Sequence, residues 1–277
     1  MSRRVHPLDL VFGLWALGLT IWFGAQFALG APAEGAFGVD VALRIGGPSK
    51  WLALLLATVF SWRMYRALEA DAPPRRGWLA FLLGSGSFCF GQGVLVVHQL
   101  FIEGDTPFPS AADPAFVLGY LAMGLALVMW LRAFTSSGML PPLPRLRVWG
   151  LLPGLFVAAS AWLLILGTMD QSRPWLERAF ALGYPSLDAA LLVPTSMLAY
   201  LALRVFGGEL ARPWLRLALG VLLLCVGDVL FALPTEGWAL GPAIARAEPL
   251  VDLSFALGYL AVAWSCVGHE GLLRGRD

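Results

Sequence analysis

Asp228 stands out among the ionisable residues of this sequence, because it lies inside a long run of apolar residues. A carboxyl group inside the hydrocarbon layer of a membrane is costly, and such a residue is by default a candidate for function. We expect Asp228 to be protonated or hydrogen-bonded, and Gln92, at a similar place in an earlier apolar run, is the favoured partner. Two interpretations stay open: a structural hydrogen bond, or a site for a ligand or a proton.

Residue types that serve in catalysis or metal binding are otherwise sparse. A membrane b-type haem needs two histidines at matching depth, whereas His98 and His269 fall near opposite ends of their apolar runs. Lys50, the single lysine, lies at the mouth of a run, so a buried Schiff-base lysine is absent. No C-x-x-C, G-x-S-x-G, H-E-x-x-H or P-loop motif occurs. We therefore expect no catalytic residue, no metal site and no enzymatic activity, and the sequence identifies no cofactor.

Aromatic residues are abundant, with 17 Phe, 12 Trp and 5 Tyr. Helix packing and contact with membrane lipids account for such residues in a membrane protein. The alternative is an apolar ligand pocket with a few polar groups. The candidate ligand-binding residues for that pocket are Asp228, Gln92, Tyr120, Tyr259 and His98.

The composition is that of a membrane protein. Hydrophobic residues make up 58% of the 277 residues and charged residues only 13%, with a mean hydropathy of +0.74. Soluble domains carry about 25% charged residues, so a soluble globule is excluded. A net charge of +1 leaves no electrostatic footprint for nucleic acid.

Apolar windows of about 20 residues are long enough to cross a bilayer as helices. Counting them predicts an all-α integral membrane protein with eight transmembrane helices, forming a single polytopic domain over residues 1–277. The windows lie at about 8–30, 49–67, 77–101, 113–134, 148–168, 187–206, 213–234 and 250–269.

The basic residues predict the topology, because Lys and Arg in short loops favour the cytoplasmic side. Only five of the 19 fall in the outer connections: Arg44, Lys50, Arg173, Arg178 and Arg246. Both the N- and C-termini are therefore predicted to be cytoplasmic. The alternative is that residues 1–33 are a cleaved signal peptide, which would leave seven spans.

The predicted helices that start on the outer side share a motif. Pro109-Ser110-Ala111-Ala112-Asp113 and Pro249-Leu250-Val251-Asp252 are both followed by Phe, Gly and Tyr three, six and seven residues after the Asp. Pro185-Ser186-Leu187-Asp188 is a third copy, and Pro48-Ser49 is a degenerate fourth. The pattern predicts four tandem helical-hairpin pseudo-repeats.

The hairpins span about 8–67, 77–134, 148–206 and 213–269. A serine N-cap and an acid in the first turn stabilise the start of a helix. Structural roles at helix starts are therefore assigned to Ser110, Asp113, Ser186, Asp188 and Asp252. The alternative is that these acidic helix starts converge on the outer face and line a shared vestibule.

Over about residues 75–270 the chain resembles the multi-helix N-terminal membrane sensory region of bacterial diguanylate cyclases and cyclic-di-GMP phosphodiesterases. The residues that carry the resemblance are the segment from Pro107 to Asp113, Leu118-Gly119-Tyr120, Gly227-Asp228 and Leu257-Gly258-Tyr259. No Gly-Gly-Asp-Glu-Phe or Glu-Ala-Leu segment of the catalytic domains occurs. The resemblance implies a sensory input module, either standing alone or cut from a longer protein.

We therefore expect a non-catalytic membrane sensor or interaction module that binds a small apolar ligand or a partner helix in its outer half. Its expected partners are membrane lipids and a protein at the cytoplasmic face or in the membrane, with no nucleic acid. One alternative is a transporter or channel that uses Asp228. Another is a structural subunit of a larger membrane complex.

Overall fold

The computed structural model describes residues 7–29, 39–102, 108–136, 174–205, 207–233 and 248–275. Within these ranges every regular element is an α-helix. The seven helices are α1 (Pro7–Leu29), α2 (Val39–Ala67), α3 (Arg75–Phe101), α4 (Asp113–Ser136), α5 (Trp175–Val205), α6 (Gly208–Ala232) and α7 (Glu248–Leu273).

All of these helices except α2 are long and apolar enough to span a membrane, which makes six candidate spans in the described ranges. An α-helix pairs its backbone groups internally, as lipid requires. α2 has a similar length but carries Lys50, Arg63 and Arg66. The described chain is therefore all-α with the make-up of a multi-pass membrane protein. The predicted span at 148–168 and both termini lie outside the described residues, so eight spans and cytoplasmic ends stay predictions.

Six helices form a closed ring. Around it α2 packs on α3, α3 on α4, α4 on α5, α5 on α6, α6 on α7, and α7 back on α2, while α1 packs against α7. Side chains from all six ring helices meet on the axis, around a cavity of about 20 Å³. A cavity of this size holds about one water molecule. The described ring is therefore filled almost entirely by its own side chains.

Ion pairs between helices lie at the two ends of the bundle. At one end Arg63 of α2 pairs with Glu270 of α7 at 2.7 Å, and Asp9 of α1 pairs with Arg216 of α6 at 3.0 Å. We call this the inner end, after the side on which the sequence predicts these basic residues. At the opposite end, the outer end, Lys50 of α2 pairs with Asp252 of α7 at 2.7 Å.

α4 and α5 run in the same direction, as α7 and α2 do, whereas the other ring neighbours are antiparallel. Phe116 near the start of α4 contacts Tyr184, with ring centroids 6.5 Å apart. Further along both helices, a β-carbon on Gly124 would lie 3.6 Å from Leu191 Cδ2. One further membrane crossing between α4 and α5 would make these two helices run in the same direction. The sequence predicts that crossing at 148–168, which lies outside the described residues.

α2 and α5 begin earlier than the apolar windows predict. α2 begins at Val39 and α5 at Trp175, so Pro48 and Pro185 lie inside helices instead of marking their starts. A proline inside a helix removes one N–H donor, and membrane helices tolerate this because neighbouring groups compensate. The Pro-Ser motif therefore predicts a helix start at both prolines, whereas both helices start about ten residues earlier.

The helix-start assignment of Ser186 and Asp188 is consequently wrong. The Ser186 hydroxyl donates to the Leu182 carbonyl oxygen at 2.7 Å, one turn back within α5. Asp188 lies near the middle of α5 and is completely buried. Asp252 lies one turn into α7, which begins at Glu248. Because α5 continues for three turns before its Pro-Ser segment, that segment has no free helix end to cap.

The pairs α3–α4 and α6–α7 are held together by matching glycine contacts. A β-carbon on Gly84 would lie 3.1 Å from the Gly119 carbonyl oxygen, and one on Gly220 would lie 2.9 Å from that of Gly258. Only glycine permits helix backbones to approach this closely. The two helix pairs lie on opposite sides of the ring.

α2 and α5 also match in one local feature. Thr58 Oγ1 donates to the Leu54 carbonyl oxygen at 2.8 Å, and Thr195 Oγ1 donates to that of Leu191 at 2.6 Å. Leu54 and Leu191 both line the axial cavity. The described ring therefore consists of two sets of three helices, α2–α4 and α5–α7, with recurring contacts. The four-hairpin repeat itself stays a prediction.

Candidate functional site

Asp228 lies on α6, one turn before the helix ends at Ala232, and is only 7% exposed. The Tyr120 hydroxyl of α4 donates a hydrogen bond to Asp228 Oδ2 at 3.1 Å. Gln92, the partner favoured from the sequence, does not fill this role: its Nε2 is buried without a hydrogen-bond partner. The reason lies in the ring order, because α3 and α6 are not neighbours, whereas the long Tyr120 side chain reaches into the axis from α4.

Asp188 of α5 is the neighbour of Asp228, and we call the two residues the carboxyl pair. Asp188 is 0% exposed, and Asp228 and Tyr120 are the polar groups beside it. Neither of its carboxyl oxygens accepts a hydrogen bond. Asp228 could donate a hydrogen bond to Asp188 only if it carried a proton, because an ionised carboxyl group can only accept. When both residues are ionised, Asp188 therefore has no hydrogen-bond donor.

Three tyrosines surround the carboxyl pair. Tyr120 comes from α4, Tyr184 from α5 and Tyr259 from α7, and Cys225 lies on the same helix as Asp228. The ring centroids of Tyr120 and Tyr184 are 5.9 Å apart. Within the described ranges, neither carboxyl group of the pair forms an ion pair with a Lys, Arg or His side chain. Its surroundings are hydroxyl groups and aromatic rings.

Asp113 connects this cluster to the outer end. The Ser110 N–H and hydroxyl both donate to Asp113 Oδ2, and the Ala112 N–H donates to Ser110 Oγ at 3.2 Å. This reciprocal arrangement is a capping box, the helix-start role expected of Ser110 and Asp113. The Tyr184 hydroxyl donates to the other Asp113 oxygen. A polar series therefore leads from the start of α4 through Tyr184 and Tyr120 to the carboxyl pair.

Two other residues singled out from the sequence lie toward the outer end. Asp252 accepts from Lys50 Nζ, which also lies 6.0 Å from the centroid of the Phe255 ring. Its role is thus an ion pair between α7 and α2. His98 lies in the last turn of α3, half-buried, and its backbone carbonyl accepts from the Ile102 N–H at 3.0 Å.

The axial cavity lies next to the tyrosines and is lined by apolar surface. Ligand pockets for small molecules usually measure about 300–1,000 Å³. The described cavity, about 20 Å³, is far smaller, so this conformation has no room on the axis for such a ligand. Its lining residues include Leu54, Phe81, Phe88, Leu127, Leu217 and Val221.

An aromatic cluster closes the inner half of the ring. The Trp130 ring of α4 lies 5.0 Å from Trp78 of α3 and 5.3 Å from Trp214 of α6. The His269 ring of α7 lies 5.2 Å from Trp78 and 4.6 Å from Trp214. The four rings, which we call the inner aromatic cluster, come from four different helices. No ion pair or polar series crosses it in the described part of the ring.

The described residues contain no group of three or more His, Cys, Asp or Glu placed to hold a metal ion. No protein-family model, curated protein or solved structure matches this chain. The class of protein defined by the fold is therefore an all-α, multi-pass membrane bundle with a buried carboxyl pair.

The sequence analysis did not identify Asp188 and Tyr184 as members of this buried site. The signal was present in the two proline segments. Residues 48–58 and 185–195 share Pro, Ser, Ala, Leu, Leu and Thr at equal spacing, with Trp51 in one where Asp188 stands in the other. That comparison pairs Asp188 with Trp51, so it marks Asp188 as a carboxyl group at a position that an apolar residue occupies in the other segment.

Proposed function

We propose that this chain is a non-catalytic sensory and interaction module of the bacterial inner membrane, with its input site in the outer half and its output at the inner end. The observation that carries the proposal is the division of the ring. A buried polar series occupies the outer half, and an apolar cavity followed by the inner aromatic cluster fills the rest.

α7 is suited to carry a signal between the two halves. Near its start Asp252 pairs with Lys50, and further along Tyr259 lies beside the carboxyl pair. Near its end His269 belongs to the inner aromatic cluster, and Glu270 pairs with Arg63 at 2.7 Å. A shift of α7 at the carboxyl pair would therefore change contacts at the cytoplasmic face predicted from the sequence.

The resemblance to membrane sensory regions supports the same proposal, since their chemistry is performed by an attached cytoplasmic domain. A protein partner that reads the inner loops or the end of α7 would supply the output. A partner helix fits the outer half better than a small apolar ligand on the axis, because the described cavity is too small for a ligand of ordinary size.

Affinity capture tests this proposal. The protein is purified in mild detergent from its own host, beside a Glu270→Gln variant that weakens the α2–α7 ion pair at the inner end. We expect a reproducible protein partner with the native chain and weaker capture with the variant. A monodisperse protein that captures no partner, and that moves an ion or turns over a lipid in proteoliposomes, would refute the module.

The second candidate is a transporter or channel, and the carboxyl pair favours it because buried acids mark ion and proton pathways. Against it, the described ring offers no polar route from the pair to the inner end. Ion flux in proteoliposomes discriminates the two: Asp228-dependent flux supports transport, and its absence together with a captured partner supports the sensor.

A further inference from the structure

The carboxyl pair is incomplete without a positive species. Asp188 is fully buried and neither of its oxygens has a hydrogen-bond partner, while Asp228 accepts from Tyr120 alone. Two neighbouring carboxylates in a low-dielectric interior repel each other, and each also loses its hydration. One proton removes the repulsion, and the protonated carboxyl group then donates a hydrogen bond to the remaining carboxylate, which offsets part of its lost hydration.

The ring does not need carboxyl groups at these positions to pack. Gly84 on α3 and Gly220 on α6 make equivalent backbone contacts. Seven residues after each of them stands a glycine followed by a polar residue, Gly91-Gln92 on α3 and Gly227-Asp228 on α6. In the half formed by α2–α4, the counterparts of the pair are therefore Trp51 and Gln92. A β-carbon on Gly93, next to Gln92, would lie 3.1 Å from Trp51 Nε1, so these two positions are also adjacent.

We propose that the carboxyl pair of Asp188 and Asp228 binds one proton, which exchanges through the outer end, and that this proton is the input of the module. The bound proton sits on one carboxyl oxygen and is donated to an oxygen of the other residue. Its release leaves two adjacent carboxylates, whose repulsion drives α5 and α6 apart. As an input, the inference rests on the proposed function, whereas proton occupancy is measured without any partner.

The surroundings suit a proton better than a metal cation. The titratable groups that face the pair are Tyr120 from α4, Tyr184 from α5, Cys225 from α6 and Tyr259 from α7, with Asp113 beyond Tyr184. Each of these hydroxyl and thiol groups carries its own hydrogen. The described cavity holds about one water molecule, whereas a monovalent metal ion needs several oxygen ligands around it.

Infrared spectroscopy of the full chain in lipid nanodiscs tests the proposal. A protonated carboxyl group has a C=O stretch that an ionised one lacks, and this band shifts in D₂O. We expect the native protein at neutral pH to show the band of one buried protonated carboxyl group per chain. An Asp188→Asn/Asp228→Asn double variant should remove it, and each single variant should shift it, because the buried carboxyl group that remains no longer has a carboxylate partner. Asp71→Asn, in the exposed turn between α2 and α3, should leave the band unchanged.

The band shift in either single variant keeps the test decisive if the double variant fails to fold. A native protein without the band, or a band that is unchanged in frequency and size in a folded Asp188→Asn or Asp228→Asn variant, would overturn the proposal. So would loss of the band when Na⁺ is raised at constant pH, since the pair would then be a metal-cation site. If a partner is captured but the infrared band is absent, the proton site is wrong and the proposed function still holds. If the band is present but no partner is captured, the proton site holds and the proposed function loses its support.

Discussion

Among the residues that the structure describes, the hydrogen bond from Tyr120 to Asp228 is the one from another helix that reaches the carboxyl pair with standard geometry. In membrane proteins such interhelical bonds contribute about 0.6 kcal/mol on average and up to about 1.7 kcal/mol. The contribution is modest because polar groups also find partners in the unfolded chain within the membrane. Single substitutions at this bond should therefore weaken the fold measurably without destroying it.

Tyr120→Phe removes only the hydroxyl of that bond. We expect a loss of about 0.6–2 kcal/mol in the free energy of unfolding, because Asp228 loses its donor while the ring contacts remain. Thermal unfolding in detergent measures the change. Tyr65→Phe is the matched control, since the Tyr65 ring lies at 4.6 Å from the Arg75 guanidinium at the inner end, far from the pair. Equal stability of the two variants would contradict the role given to the Tyr120 hydroxyl.

A second residue-scale prediction concerns the capping box of α4. Ser110→Ala removes the acceptor of the Ala112 N–H and one donor to Asp113. Loss of a serine cap costs roughly 0.5–2 kcal/mol, so unfolding should occur at a lower temperature. Ser186→Ala is the control with the same sequence motif: Ser186 bonds within α5, so its replacement should cost less. Equal losses at the two serines would argue that both segments cap a helix.

At the scale of helices, the ring depends on backbones that approach closely at glycine. Gly220 faces the Gly258 carbonyl oxygen, and no side-chain rotation can make room there. Gly18 of α1, by contrast, has nothing within 4 Å of the place where a β-carbon would stand. The same chemical change, glycine to alanine, therefore has opposite consequences at the two sites.

Gly220→Ala should separate α6 from α7 and lower the stability by about 1–3 kcal/mol, the usual cost of overpacking. Gly18→Ala should be neutral or stabilise by up to about 1 kcal/mol, because alanine favours the helix. Thermal unfolding of the two variants beside the native chain compares them directly. A stable Gly220→Ala variant would mean that α6 and α7 do not pack as described.

The ion pair of Lys50 and Asp252 ties α2 to α7 where the ring closes. The Lys50 side chain is 11% exposed and that of Asp252 29%, so the pair lies between the exposed and the buried cases. We expect a double-mutant cycle with Lys50→Met and Asp252→Asn to give a coupling energy between about 1 and 3 kcal/mol. A coupling energy near zero would show that the ring closes without this pair.

At the scale of the whole molecule, the direction of the bundle in the membrane follows from the basic residues. In a background without Cys89, Cys225 and Cys266, Ile102→Cys lies at the outer end and Asp71→Cys at the inner end. A membrane-impermeant maleimide applied to intact cells should label the first and reach the second only after the cells are opened. Labelling of Asp71→Cys in intact cells would reverse the predicted orientation.

Sequence patterns predicted those parts of the site that depend on local chemistry. The cost of a charge in an apolar run singled out Asp228, and the capping motif singled out Ser110 and Asp113. The similar segment Pro185-Ser186-Leu187-Asp188 led to a wrong assignment of Asp188, because a segment of four residues cannot report whether ten helical residues precede it. In α4 the motif stands at a free helix end, and in α5 it stands in the interior.

The sequence by itself determined that the chain is helical, apolar enough for a membrane, and without a recognisable catalytic motif, since composition and apolar run length act through local hydration and backbone pairing. Only the tertiary structure decided which polar groups meet. The order of helices around the ring sets Asp188 beside Asp228, brings Tyr120 to them across the axis, and leaves Gln92 without that role. The contacts of Asp228 join residues 40 and 108 positions apart, so they depend on how the intervening helices pack, and short motifs carry no information about that packing.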